Sequence, residues 1–274
     1  MTSAIESWKE RIDAHNEQTV RTRGDVVYQD LWSTMAEAFR DDPHRENDPV
    51  VNTIAGWLTP ESTVLDVGGG AGRYALPLAL RAKHVTVLDP SPSMLESLER
   101  SADEAGIKNV SAVAASWEEA TVEAHDVVIC ANVVYGVAEI ERFVRKLAAH
   151  ARERVAIVLF MDAPLSRMSP IWEAVHGEKR IDMPGLPELL PVLWEMGIFP
   201  NVEMAPPGGG PRTMPTRDAA LAMARHFLYV AAGSEKDRRL LEIAEDFIVE
   251  TPKGMAMRNA SERPQGVVWW KTGG

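Results

Sequence analysis

The segment that most constrains the fold is a short apolar run that leads directly into three closely spaced glycines. Residues 64–73 read VLDVGGGAGR, so a stretch typical of a strand is followed by Gly-x-Gly-x-Gly. Glycine permits positive φ angles and lets the backbone approach a ligand closely. A helix that begins at such a turn offers unpaired backbone N–H groups to a polar ligand. The run therefore predicts a strand–turn–helix unit that binds a polar ligand.

Strands and helices continue to alternate after this turn. Short apolar runs separated by amphipathic helices are typical of right-handed crossovers in a parallel sheet with helices on both faces. We therefore predict an α/β, Rossmann-like, doubly wound fold with a mostly parallel seven-stranded sheet. The predicted strands cover residues 63–67, 84–88, 110–114, 126–131, 154–160, 201–204 and 267–271.

The sequence on either side of this alternating core differs from it. We predict one domain with a helical N-terminal cap, a cofactor-binding core and a substrate-side part. The substrate-side part carries a helical insertion over the carboxyl edge of the sheet, where open α/β sheets bind ligands. The domain is 1–274, the cap 1–50, the core 51–162, the substrate-side part 163–274 and the insertion about 205–262, with helices at 216–231 and 234–249.

The glycine spacing separates two classes of cofactor site. The dinucleotide fingerprint Gly-x-Gly-x-x-Gly would place its third glycine at the position of Arg73. The third glycine comes one residue earlier, and this spacing after Asp66 resembles the first motif of class I S-adenosylmethionine-dependent methyltransferases. The resemblance implies that Asp66 organises the turn and contacts the methionine end of the cofactor. It also implies that the cofactor lies on the glycines of the turn, Gly68, Gly69, Gly70 and Gly72.

A second acidic residue ends the next predicted strand. Residues 85–95 read VTVLDPSPSML, which places Asp89 about twenty residues after the turn. A carboxylate at this position can accept hydrogen bonds from both ribose hydroxyls. The residues that follow also resemble the family, which implies that Pro90 and Met94 border the cofactor, Met94 against the adenine.

Two later strand ends resemble the family less closely. Ser116 stands where the family often has an acid that binds the adenine amine, so backbone or hydroxyl contacts would have to replace that acid. The next residue, Trp117, either covers the adenine ring or packs in the core, and the sequence leaves both open. Asn132 and Tyr135 follow the fourth strand, whose end faces the transferring methyl group in the family.

The chemistry does not require a visible catalytic base. A sulfonium methyl group is already activated, and a general base is needed only if the acceptor must lose a proton. The candidates are Tyr135 and His176, followed by His44; the alternatives are that Tyr135 positions the acceptor and that His176 caps a helix. We expect Tyr28 either to close over the methionine end or to pack in the core. No cluster with metal-ligand spacing is apparent, so no metal is expected.

Charge and composition limit the partners. The net charge of −11 opposes binding to nucleic acid. No apolar run approaches the roughly twenty residues of a membrane span. The single cysteine, Cys130, lies in an apolar run, which favours a buried thiol in a reducing compartment. We expect a cytoplasmic monomer or homodimer that binds no nucleic acid and no membrane.

These patterns predict an S-adenosylmethionine-dependent methyltransferase. The methionines of the last third suggest an apolar pocket, which suits a small or medium-sized organic acceptor. Residues 154–177 also resemble small bacterial methyltransferase-domain proteins without an assigned substrate, which names no acceptor. A catalytically silent S-adenosylmethionine-binding regulator and a protein methyltransferase stay open. A nicotinamide-dependent oxidoreductase is a further alternative, and Arg73 counts against it.

Overall fold

One seven-stranded sheet and one two-stranded hairpin make up the strands of the described residues. A computed structural model of the chain describes residues 2–28, 30, 32, 36–206, 213–258 and 264–273. The strands in chain order are β1 (Thr63–Val67), β2 (His84–Asp89), β3 (Val110–Ala114), β4 (His125–Ala131), β5 (Ala151–Phe160), β6 (Asn201–Ala205), β7 (Ile248–Thr251), β8 (Gly254–Met257) and β9 (Gln265–Lys271).

The large sheet has the strand order β3-β2-β1-β4-β5-β9-β6. The first five strands of the chain pair in parallel, whereas β9 is antiparallel to both β5 and β6. Strand order reverses between β1 and β4, so the loops that leave these strands diverge and open a crevice at the carboxyl edge. The predicted fold class, a mostly parallel seven-stranded doubly wound sheet, is confirmed.

Helices cover both faces of the sheet. One face packs against α2, α3 and α4, and the other against α1, α5 and α7. In the described part of the chain, no helix is both long and apolar enough to cross a membrane. The helices are α1 (Ala4–Arg23), α2 (Pro49–Ala55), α3 (Ala75–Ala79), α4 (Pro92–Glu104), α5 (Ile140–His150), α6 (Ser169–His176), α7 (Leu186–Glu195), α8 (Arg217–Leu228) and α9 (Glu235–Phe247).

The alternation of side chains along each strand produces the two cores. In β1, Val64 is buried on the α2–α4 face, while Leu65 and Val67 are buried on the opposite face. Cys130 of β4 is fully buried on that second face, as expected for a thiol in an apolar run. Successive residues of a strand point to opposite sides, so a doubly covered sheet requires apolar residues at nearly every position.

Local capping signals set several helix ends. The hydroxyl of Ser91 accepts a hydrogen bond from the Met94 amide, and Pro92 occupies the first turn of α4. Helix α6 ends at Gly177, whose φ of 78° is left-handed. The hydroxyl of Thr216 caps α8 by accepting from the Ala219 amide. These ends agree with the predicted ones because capping depends on residues close in sequence.

A third apolar cluster lies beside the sheet, and we call it the cap. It is formed by α6, α8, α9 and the β7–β8 hairpin, with Trp172 fully buried at its centre. The hairpin is absent from the sequence prediction, which extended the last helix to residue 249. Ile248 instead pairs with Met257 across the hairpin, so α9 ends at Phe247.

Helix α1 is not part of this cap. Its buried residues Trp8 and Ile12 pack with α5 and α7 on one face of the sheet. The described residues between 24 and 40 are the part of the N-terminal region that approaches the carboxyl edge. The predicted N-terminal cap of residues 1–50 therefore divides into a helix that covers the sheet and a segment that covers its edge.

Candidate active site

The turn after β1 has a backbone that glycine adopts without strain. Gly68 and Gly72 have φ angles of 69° and 82°, in the left-handed region that disfavours side chains. A Cβ atom at Gly68 would collide with Val133, and one at Gly72 would collide with Leu98. The glycines therefore let the chain after β4 and helix α4 pack directly against the turn. The predicted strand–turn–helix unit is present.

Asp66 is fully buried at the end of β1. Neither oxygen of its carboxylate makes a hydrogen bond to a described residue. Burial and the neighbouring Asp89 raise the pKa of Asp66 to about 8, against a smaller opposing effect of the Ala75 amide. A Cβ atom at Gly69 would meet the Asp66 carboxyl group at 2.6 Å, so the turn lies directly on this carboxylate. A buried acid without partners is costly and marks a place where a ligand group can bind.

Asp89, the second acidic residue that the sequence predicts to bind the cofactor, lies at the end of β2. Its Oδ2 accepts a hydrogen bond of 2.9 Å from the Gly70 amide, and its Oδ1 accepts one of 2.9 Å from the Ser91 amide. Burial raises the pKa of Asp89, and these two amides partly offset that effect. The carboxylate is therefore held in one orientation beside the turn, with Pro90 exposed next to it.

An apolar cluster covers the turn. Met94 and Ala71 are buried together with Ala36, and Trp32 and Phe39 pack against them. The rings of Trp32 and Phe39 meet edge to face with their centres 5.5 Å apart. Residues far apart in sequence thus form one apolar surface at the position where the sequence predicts the adenine.

Asp30 fastens the N-terminal segment to the same edge. Its Oδ2 accepts hydrogen bonds from the hydroxyls of Ser91 and Ser93, at 2.9 and 2.7 Å. Its Oδ1 accepts from the Trp32 amide at 2.9 Å. Sequence reasoning missed Asp30, because an aspartate in a polar N-terminal stretch has no motif that distinguishes it.

Tyr28 links this segment to the cap. Its ring centre lies 4.1 Å from that of His226 and 5.9 Å from that of Tyr229, both at the end of α8. Burial raises the pKa of Tyr28. These contacts fit the packing alternative, and the place of Tyr28 at the methionine end stays a prediction.

Asn132 and Tyr135 form a partly buried polar network where β4 ends. Asn132 has a left-handed φ of 61°, and its Oδ1 accepts hydrogen bonds from Tyr135 Oη at 3.1 Å and Gln265 Nε2 at 3.3 Å. The same Tyr135 hydroxyl accepts from the Phe160 amide at 2.6 Å. The network joins the ends of β4, β5 and β9. Gln265 was not among the predicted residues, since its contribution depends on the antiparallel return of β9.

Trp117 packs against helix α5. Its ring lies 6.3 Å from Phe143 and 5.1 Å from His150, centre to centre, and the Lys146 ammonium lies 4.5 Å from the ring centre. The hydroxyl of Ser116 donates to Glu119, at the start of a turn. The described contacts of both residues are structural, and their contacts with the adenine stay predictions.

His176 lies in the cap and has one engaged ring nitrogen. Nε2 lies 2.9 Å from the carbonyl oxygen of Leu228, to which it donates, and Nδ1 is buried without a partner. Burial is the main cause that lowers the pKa of His176 to about 4. The imidazole is therefore neutral at neutral pH and is a weak base. His44, the third candidate base, donates its amide to Asp42 in an N-terminal turn.

Comparisons with known proteins agree with this geometry. Residues 64–154, from β1 into β5, match a family described as methyltransferase domain. A ubiquinone biosynthesis O-methyltransferase of Rickettsia prowazekii is 37% identical over 101 residues, which are 36% of this chain and 40% of that protein. A 23S rRNA (uracil(1939)-C(5))-methyltransferase of Klebsiella pneumoniae is 37% identical over 75 residues, 27% of this chain and 17% of that protein. The chain thus spans less than half the length of either relative.

A solved structure supports the fold over a longer stretch. The S-adenosylmethionine-dependent methyltransferase from Thiobacillus denitrificans, in complex with S-adenosyl-L-homocysteine, has a TM-score of 0.53 and 16% identity. The alignment covers 89% of this chain and 98% of that one. At this identity the likeness shows the fold, while the family match covers the segment that carries the glycine turn. Residues 64–154 thus match a methyltransferase domain, and most of the chain shares the fold of the Thiobacillus denitrificans protein.

Proposed function

We propose that the protein transfers the methyl group of S-adenosylmethionine to a small or medium-sized organic acceptor. The observation that carries this proposal is the pair of carboxylates at the glycine turn. Asp66 is buried beneath Gly69 without a hydrogen-bond partner, and Asp89 is anchored by the amide of Gly70. The Asp66 carboxylate is available to a positively charged group. The Asp89 carboxylate is held in place and keeps lone pairs that can accept hydrogen bonds from hydroxyl groups.

The donor and acceptor groups of the cofactor fit this site. Asp89 would accept from the ribose hydroxyls, and Asp66 would face the ammonium group at the methionine end. A Cβ atom at Gly70 would lie 3.2 Å from Met94 Cε and 3.8 Å from Asp89 Oδ2. Because glycine lacks that atom, the space between Met94 and Asp89 stays open for the adenosine. The cofactor supplies a methyl group bonded to positively charged sulfur.

The chain contributes binding, orientation and the exclusion of water. The segment that carries Asp30 covers the cofactor edge, and Tyr28 connects it to the cap. Holding the acceptor in line with the reacting bond supplies much of the rate of such a transfer. An enclosed site also prevents water from competing with the acceptor.

Neither predicted catalytic residue is placed as a strong base. The Tyr135 hydroxyl already donates to Asn132 and accepts from Phe160, so its proposed role is to hold the end of β4 in position. His176 is neutral, and its free Nδ1 can accept one hydrogen bond from an acceptor hydroxyl. The proposed reaction therefore relies on orientation, with His176 as an auxiliary contact.

Two observations favour an organic acceptor over a nucleic acid. The net charge of −11 repels a phosphate backbone. The relative from Rickettsia is an O-methyltransferase of ubiquinone biosynthesis. In the described part of the chain, no three His, Cys, Asp or Glu side chains are grouped to hold a metal ion.

Calorimetric titration tests the proposed function. We expect S-adenosylmethionine and S-adenosylhomocysteine to bind in the micromolar range and NAD not to bind. Asp89→Ala should weaken binding by about tenfold or more, because hydrogen bonds to a charged group are lost. Asp103→Ala is the matched control, since Asp103 is an exposed aspartate on α4.

Each result separates one alternative from the others. Binding of NAD but of neither sulfur compound would contradict the proposal and favour an oxidoreductase. Tight binding of S-adenosylhomocysteine without turnover of any organic acceptor, protein or RNA would favour a silent cofactor-binding regulator.

A further inference from the structure

Buried polar atoms without partners are concentrated on helix α6 of the cap and on the residues just before and after it. Among the described residues, nine buried side-chain nitrogen or oxygen atoms have no hydrogen-bond partner. Five of these nine belong to Arg167, Trp172, His176 and Arg180. Folded proteins leave few buried polar groups unpaired, and each such group calls for an explanation. Four of the five atoms are N–H donors, so this cluster lacks acceptors.

Arg180, Trp172 and His176 form a stacked cluster, and Arg167 is close in sequence to Leu165, whose carbonyl Arg180 binds. The guanidinium carbon of Arg180 lies 4.7 Å from the centre of the Trp172 ring, and the rings of Trp172 and His176 lie 4.1 Å apart. Arg180 Nη1 donates to the Leu165 carbonyl at 3.4 Å, in the turn that leads to Arg167. Nε and Nη2 of Arg180, the two donors along one edge of the guanidinium, remain unpaired.

The cluster carries positive charge without a counter-charge in contact. Arg180 is only 7% exposed, and burial lowers the pKa of both Arg180 and Arg167. Asp182 attracts Arg180 without forming an ion pair with it, and its carboxylate accepts from Ser169. An arginine does not lose its proton in a protein, so burial cannot remove this charge. A buried charge without a partner is strongly unfavourable.

Another arginine of the cap shows the usual arrangement. Arg225 Nε lies 2.7 Å from Asp237 Oδ1, and that aspartate also accepts from the Gly233 amide. Arg225, an arginine with a structural role, is therefore paired with a carboxylate. Arg180 is also buried, but no carboxylate of the described residues is paired with it.

Two contacts link the cluster to the carboxyl edge of the sheet. Leu165 lies in the loop that follows β5, a strand whose carboxyl end is at that edge. Tyr229 influences Arg180 electrostatically and contacts Tyr28, which precedes Asp30 in the segment over the glycine turn. These contacts connect the cluster, through Tyr229 and Tyr28, with the segment that carries Asp30.

We propose that Arg180, Arg167 and Trp172 bind a carboxylate group of the methyl acceptor, so that the acceptor is a carboxylic acid. The inference rests on the proposed methyltransferase function. The free edge of Arg180 offers two parallel N–H donors, which match the two oxygens of a carboxylate. Trp172 Nε1 and Arg167 Nε supply further donors, and His176 Nδ1 is left for a neighbouring hydroxyl of the same molecule.

Thermal shift and calorimetry with simple probes test this inference. The probes are benzoate, its neutral counterpart benzamide and inorganic phosphate, at constant ionic strength, with and without S-adenosylhomocysteine. Benzoate should raise the melting temperature saturably, whereas benzamide and phosphate should not. Arg180→Met should weaken benzoate binding by about tenfold or more, because a charge-assisted bidentate contact is lost. Arg167→Met should weaken it less.

Arg239→Met is the matched control. Arg239 is an arginine of α9 that is paired with Glu235 and bonded to the Val175 carbonyl beside the same helix α6. Its replacement should leave benzoate binding unchanged. The Arg180→Met protein without benzoate should melt at the same or a higher temperature than the unaltered protein, since an uncompensated charge is removed.

Three results would overturn the proposal. They are no saturable effect of benzoate, equal effects of benzoate and benzamide or phosphate, and a strong loss of thermal stability in Arg180→Met without benzoate. Binding of S-adenosylhomocysteine is measured in the same samples. If benzoate binds but S-adenosylhomocysteine does not, the methyltransferase function is refuted and the carboxylate site remains. If S-adenosylhomocysteine binds but benzoate does not, the carboxylate site alone is refuted.

Discussion

At the scale of single residues, the two aspartates of the site differ in what holds them. Asp89 accepts hydrogen bonds from two backbone amides, which stabilise its ionised form. Asp66 has only the weaker effect of the Ala75 amide, and burial raises its pKa to about 8. At neutral pH the unliganded protein therefore carries a protonated Asp66. A positively charged ligand group beside it would favour ionisation and release the proton.

This difference predicts a proton coupled to cofactor binding. S-adenosylhomocysteine should bind more tightly as the pH rises towards 8, with release of close to one proton near pH 7. Calorimetry in buffers of different ionisation enthalpy measures this proton. Asp66→Asn should abolish its release, and Asp103→Asn should not. If the observed binding enthalpy is the same in all buffers, no proton is released on binding. That result would contradict the assignment of a protonated Asp66 to the unliganded protein.

The unliganded protein should show the opposite trend in stability. A carboxyl group whose pKa is raised by folding binds a proton more tightly in the folded state. Its contribution therefore falls as the pH rises from its ordinary value of 3.8 towards about 8. Asp66→Asn should flatten this part of the stability profile measured by urea denaturation.

At the scale of elements, the glycine turn determines how closely α4 approaches β1. Gly72 has a left-handed φ, and a Cβ atom there would collide with Leu98 of α4. The same helix carries Met94 and is capped by Ser91, which also binds Asp30. A displacement of α4 would therefore move several groups of the proposed cofactor site together.

Replacing Gly72 and Gly106 by alanine should separate the cost of backbone strain from the cost of a steric collision with Leu98. Gly106 is the matched control, because its φ of 69° is also left-handed and a Cβ atom there would meet nothing within 4 Å. Gly106→Ala should cost about 1 kcal/mol of the free energy of unfolding, from backbone strain alone. Gly72→Ala should cost about 2–4 kcal/mol, because overpacking adds to the strain. Urea denaturation measures both, and equal losses would show that α4 accommodates the methyl group.

At the scale of the whole molecule, one N-terminal segment joins the cofactor edge to the cap. Asp30 binds the serines at the start of α4, and Tyr28 contacts the end of α8. Helix α1, which precedes the segment, packs on the sheet through Trp8 and Ile12. The segment is thus held at three places, which are the sheet, the start of α4 and the end of α8.

Removing the carboxylate of Asp30 should loosen this cover. We expect Asp30→Ala to accelerate the dissociation of S-adenosylhomocysteine by about tenfold, since hydrogen bonds from two serine hydroxyls to a charged group are lost. Stopped-flow fluorescence with the tryptophans as probes measures the rate. Asp25→Ala is the control, because Asp25 is an exposed residue of the same segment. Equal dissociation rates for both variants would rule out a covering role.

Several parts of the molecule could be predicted from the sequence. The glycine turn, the capped start of α4 and the buried strands depend on residues within a few positions of one another. The end of α9 could not, because Ile248 is apolar in either conformation and its pairing with Met257 selects the strand. Trp117 was equally undetermined, since packing against α5 or against a cofactor requires the same aromatic residue.

The sequence by itself determined the fold class and the positions of Asp66 and Asp89 at the ends of two strands, because these follow from apolar periodicity and from a turn that requires glycine. Only the tertiary structure decided which charges are compensated. Arg225 and Arg180 look alike in the sequence, yet one meets Asp237 and the other meets Trp172 and a carbonyl oxygen. The physical reason is that burial and pairing of a charge depend on groups that the fold brings together from distant parts of the chain.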